Sequence, residues 1–150
     1  MQETELHDKV EQVLIEARVV LPGVQALMGF QFATVLVEGF DKLPQSSKNV
    51  HLICLALMGL TVILLMTPAA YHRIVERGED TEHFHRVASI LLLAAMIPLP
   101  IGICGELYVV VLKVSGSIVT AITSGLLFLA LFYGLWFGYT NYRRARLHGQ

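Results

Sequence analysis

Val50-His-Leu-Ile-Cys-Leu-Ala-Leu-Met-Gly-Leu-Thr-Val-Ile-Leu-Leu-Met-Thr-Pro-Ala-Ala70 runs without one Lys, Arg, Asp or Glu. About 20 mainly apolar residues in a helix cross the hydrocarbon core of a bilayer, and this block is long enough to do so. Its apolar residues are continuous instead of alternating, which sets it apart from a half-buried strand.

Three further blocks repeat the pattern. Val19–Glu38 precedes it, and Val87–Val111 and Ile118–Tyr139 follow. Over the whole chain 55% of residues are hydrophobic and 15% charged, with a mean hydropathy of +0.61, more apolar surface than a soluble domain of 150 residues can hide. The connections have turn chemistry: Pro44 with Ser46 and Ser47, Gly78 followed by Glu79, Asp80 and a Thr81 N-cap, and Ser115-Gly116-Ser117. The sequence thus predicts an all-α membrane protein, a four-helix bundle of transmembrane helices over residues 18–142. Residues 1–17 form an amphipathic helical extension, with Leu6, Val10, Val13 and Leu14 at helical spacing, and residues 143–150 a short basic tail. The acidic N-terminus (Glu3, Glu5, Asp8, Glu11) does not read as a secretory leader.

Orientation follows from the cations. With the N-terminus inside, Lys9, Arg18, Arg73, Arg77, Arg86, Arg143, Arg144 and Arg146 are inside and only Lys42, Lys48 and Lys113 outside. The positive-inside rule therefore predicts both termini in the cytoplasm. Trp136, Tyr133, Tyr139 and Tyr142 near one end of the fourth block, and Tyr108 near the outer end of the third, suit the interfaces.

The residues that suit lipid least are the candidates for function, because an ionised side chain at mid-membrane costs about 2.5–3.5 kcal/mol on insertion scales. The first helix carries Arg18 at its start, just before the apolar block, and Gln25, Gln31 and Glu38 within it. At about 100° per residue Arg18 and Gln25 share one face, and Gln31, Thr34 and Glu38 nearly the opposite one, with Pro22 and Gly23 placed to bend the helix between them. Arg18 either snorkels to the headgroups or joins a polar cluster with a carboxylate of the N-terminal helix. In the third block Pro98, Pro100, Gly102 and Gly105 loosen the helix just before Glu106. That combination marks either a packing kink or an ion site built from freed carbonyls and a carboxylate.

Other features read more plainly. Cys54 and Cys104 sit in apolar surroundings as small hydrophobes, without a metal spacing. The last block has Gly134-x-x-x-Gly138, a spacing for close helix approach within the chain or between copies. Between residues 71 and 86 lie His72, His83 and His85, four carboxylates and three arginines: a solvated, salt-bridged hairpin by default, with pH sensing or metal binding the sharper alternatives. His51 reads as an interface residue.

Arg18-Val-Val-Leu-Pro22-Gly23-Val-Gln25, followed by Pro68-Ala-Ala-Tyr71-His72-Arg73, resembles the bacterial membrane family known as domain of unknown function 6328, from Glu11 to Arg144. The resemblance makes Arg18, Pro22, Gly23, Gln25, Tyr71, His72 and Arg73 candidate functional positions and implies the bacterial inner membrane. Some members of that family carry a sodium:proton antiporter label. Glu38 and Glu106 fall outside the matched motifs and rest on physics alone.

With the N-terminus inside, Arg18 meets Tyr71, His72 and Arg73 at the cytoplasmic boundary, while Glu38 and Glu106 lie on the outer side. The expected function is a small cation or proton channel or transporter that works as a homo-oligomer in the lipid bilayer, since four helices enclose little room for a pathway. The alternative is a non-catalytic membrane subunit or scaffold that holds a partner through its cytoplasmic hairpin. No nucleophile and base pair, cofactor fingerprint or bis-histidine haem site is legible, so neither enzymatic activity nor a cofactor is expected. The net charge of -1 and scattered cations do not suit nucleic acid.

Overall fold

The computed structural model describes residues 2–148, and the side chains of 5–147; Met1 of the expected extension and the last residues of the expected tail lie outside that range. Every element among the described residues is helical. In order they are α1 (Gln2–Val35), α2 (Glu38–Asp41), α3 (Gln45–Ile74), α4 (Glu82–Ala95), α5 (Pro98–Ser115), α6 (Ile118–Tyr133), a π-helical segment (Gly134–Tyr139) and α7 (Thr140–His148). Four helical stretches are long and apolar enough to cross a membrane: Glu5–Val35, Gln45–Ile74, Glu82–Ser115 and Ile118–Leu147. The chain is a helical membrane protein by that measure.

Helix ends follow local chemistry. Thr81 caps α4 by accepting the Phe84 N–H at 3.0 Å, and Ser117 caps α6 by accepting the Thr120 N–H at 3.3 Å. Gly116, at φ +65°, ends α5 and donates its N–H to Leu112 O at 2.9 Å, the left-handed stop that glycine tolerates best. The third span breaks at Met96 and Ile97, ahead of its prolines, and not just before Glu106, since α5 is helical throughout Pro98–Ser115. Pro98 and Pro100 have no N–H to give the preceding turn, and Met96 and Ile97 tighten into i→i−3 bonds to Leu93 and Ala94.

The helix α1 runs through Pro22 and past residue 17 without a break, so the amphipathic segment is continuous with the first span. It also stops at Val35: Leu36 and Val37 turn tightly onto Ala33 and Thr34, and Glu38 opens the short helix α2 instead of ending the first span.

The chain divides into two compact units, Met1–Lys42 with Leu55–Leu99, and Leu43–Cys54 with Pro100–Gln150. In the first, α1 packs along α4. Val10 and Val13 bury against Phe84 and Ala88, with Leu6, Leu14 and Tyr71 at the margin. The apolar face of the N-terminal segment is therefore covered by protein, with Phe84 fully enclosed and the Tyr71 and His72 rings 6.3 and 4.7 Å from its ring. In the second unit small residues let backbones approach, as packing inside a membrane requires. Gly125 of α6 lies against α5, so that a Cβ there would stand 3.4 Å from Cys104 O and 3.7 Å from Tyr108 Cβ.

Candidate functional site

Ser47, His51, Cys54, Met58, Thr61, Leu65 and Pro68 are all buried, and their alternating steps of four and three place them on one stripe of α3. His51 is thus turned to the protein interior, with 0% of its surface exposed. On α5, Gly105 presents no side chain, and the Cys54 thiol fills the space its Cβ would take. His51 precedes Cys54 by about one turn, and Glu106 follows Gly105 directly. That close approach sets His51 Nδ1 2.9 Å from Glu106 Oε1, with 21% of the Glu106 side chain exposed.

The contact has ion-pair distance without the alignment of a good hydrogen bond. One turn before His51 on the same stripe, the Ser47 hydroxyl is buried with no hydrogen-bond partner among the described residues. Imidazole, carboxylate and hydroxyl are groups that take up protons or donate oxygen to a small cation. Glu106 was legible as an intramembrane carboxylate, but His51 was missed. The four-three spacing of buried positions along α3 was the signal that would have turned it inward.

At the hairpin end of the first unit the family motifs meet. Arg18, His72 and Arg73 line one cavity of about 360 Å³, together with Leu14, Ala69, Arg77 and Gly78. Arg18 is exposed and pairs with no carboxylate among the described residues. Tyr71 shares a hydrogen bond of 3.0 Å with His83 Nε2. Asp80 accepts from His7 at 2.5 Å and from His72 Nε2 at 3.3 Å, tying α1 to the hairpin. The bond from His7, then that from His72, holds the Asp80 carboxyl below its ordinary pKa against the opposing effect of burial. No group of three His, Cys, Asp or Glu among the described residues is arranged to hold a metal ion.

The remaining candidates are scattered. Gln25 is exposed in mid-helix, Gln31 is buried with its Oε1 unpartnered, and Glu38 is exposed in α2. Gly134 and Gly138 fall within the π-helical segment, where no other part of the chain crowds Gly134.

The fold and this site define a small helical membrane protein with a buried histidine facing a partly exposed carboxylate. The chain belongs to the family of unknown function DUF6328, whose model matches residues 2–140. No curated protein and no solved structure matches it.

Proposed function

We propose that this protein passes protons or monovalent cations across the membrane as a homo-oligomer, with His51 and Glu106 as the site that holds them in transit. The 2.9 Å contact between an enclosed imidazole and a carboxylate inside two apolar spans carries this reading. In that setting an unpaired carboxylate is costly, so Glu106 favours a compensating positive charge. Protonated His51 supplies one. A monovalent cation held by the Glu106 carboxylate supplies the same charge once the imidazole has released its proton, so one cation in for one proton out leaves the site's charge unchanged.

The test is flux in proteoliposomes containing the full chain, under imposed Na⁺, K⁺ or H⁺ gradients. The wild type is expected to dissipate at least one of them. Glu106→Gln and His51→Gln should abolish that flux, whereas Glu38→Gln, on exposed α2, should not. Absence of flux under all three gradients, or full flux in Glu106→Gln, overturns the reading.

A further inference from the structure

Every cation lining the hairpin cavity lacks an obvious use within the chain. Arg18 comes from α1, Arg73 from the last turn of α3 and Arg77 from the hairpin, and none forms an ion pair or hydrogen bond with another described residue. No carboxylate of the described residues lines the cavity. Asp80 is occupied by His7 and His72, and Glu76 and Glu79, though in the same hairpin, are not part of the wall. Three arginines around one cavity, with no carboxylate of the described residues in its wall, concentrate positive field there, a costly arrangement unless an anion enters it.

The backbone supports the arrangement. Arg77 has a left-handed φ of +54°, unusual for a residue with a side chain, and Gly78 follows at +88°. The Gly78 N–H closes this turn onto His72 O at 3.1 Å. The turn puts Arg77 into the same wall as Arg73, four residues earlier, and Arg18 of a different helix.

The rest of the cavity says which anion fits. Leu14 and Ala69 give the wall an apolar part. Next in sequence to Arg18 and Arg73 stand Val19 and Ile74, 72% and 77% exposed, so the helices carrying these arginines also present aliphatic surface. An anion with an attached hydrocarbon tail satisfies both surfaces, its phosphate among the guanidiniums and its chain along the exposed aliphatics. We infer that the cavity bounded by Arg18, Arg73 and Arg77 is a binding site for the phosphate of an acidic phospholipid. Guanidinium suits the role because its planar fork binds phosphate oxygens in pairs, and basic pockets between membrane helices hold such headgroups.

Native mass spectrometry of the full chain in neutral detergent, titrated with phosphatidylglycerol, phosphatidylcholine or inorganic phosphate, tests this. Phosphatidylglycerol is expected to give a saturable adduct of one lipid per chain and to raise the thermal unfolding midpoint; the other two should do neither. Arg73→Gln combined with Arg77→Gln should weaken phosphatidylglycerol binding about thirtyfold, taking roughly a fivefold effect per cation near a membrane surface. Arg86→Gln, outside the cavity, should leave it unchanged. Arg18→Lys keeps the charge and guards against misfolding as the cause: binding should fall while the unfolding midpoint without lipid stays at the wild-type value. Equal binding of phosphatidylcholine, or unchanged affinity in the double variant, overturns the site. Equal protection by inorganic phosphate overturns its assignment to lipid.

Discussion

His51 and His72 each face a carboxylate at comparable range, 2.9 Å to Glu106 and 3.3 Å to Asp80, but their surroundings make them different devices. His51 is sealed, on the buried stripe of an apolar span. His72 shares Asp80 with an exposed His7 at a hairpin, where water competes for every hydrogen bond. Attraction between opposite charges falls with the local dielectric constant, and so does the cost of leaving either charge unpaired. The pair in the membrane span therefore suits a change of occupancy with large energetic consequences, and the hairpin pair a weak tie.

The largest expected effect separates the two directly. His51→Leu strands the Glu106 carboxylate and should destabilise the protein by about 3–5 kcal/mol, whereas His51→Leu with Glu106→Leu should recover most of that loss. A double-mutant cycle from unfolding in detergent measures the coupling; additive effects would mean that the two side chains do not act as a pair.

Next in size is Gly105→Ala. Its Cβ would collide with the Cys54 thiol, and overpacking of this kind costs about 1–3 kcal/mol. Cys54→Ala should rescue it in the same unfolding assay. If Gly105→Ala is as stable as wild type, the close approach of α5 to α3 does not hold His51 against Glu106.

The smallest effect belongs to Asp80→Asn, which should shift the unfolding midpoint only near the limit of detection, since exposed ion pairs contribute little. The pH dependence has a definite sign. Because folding lowers the Asp80 pKa, its contribution is fully present above the unfolded value of about 3.9 and is lost as pH falls through the lower folded value. Amide protection at the start of α1, measured relative to the intrinsic exchange rate at each pH, should accordingly fall in acid in the wild type and show less acid dependence in Asp80→Asn. Identical profiles would remove His7–Asp80 as the tie.

Much of the fold was legible because lipid narrows the choices. A run such as Val50–Ala70 can only be a spanning helix, and Gly116 and Thr81 stop and start helices by chemistry local to themselves. The end of α1 was less legible. Val35 and Glu38 differ by one short turn, and the tight bonds of Leu36 and Val37 depend on backbone geometry that hydropathy does not encode. Of the candidate residues, Glu106 stood out as a charge in an apolar block, and Arg18 with His72 and Arg73 as matched family positions. The importance of His51 depends on a missing Cβ at Gly105, a residue on another helix, and a linear reading does not register a neighbour's absence.

The π-helical segment Gly134–Tyr139 bears on how the protein meets membranes of different thickness. The apolar part of the last helix, Ile118–Tyr139, is close to the ~20 residues that a bilayer needs, and the polar Thr140–Leu147 continues it beyond the hydrocarbon. A wider turn takes more residues for the same rise, so the π segment shortens the helix without tilting it. The Thr140 hydroxyl donates to the Trp136 carbonyl, a further bond to the backbone of this segment. The same residues wound as α-helix would reach further, so the length of this apolar stretch is set by the hydrogen-bonding pattern of Gly134–Tyr139 as well as by its residue count.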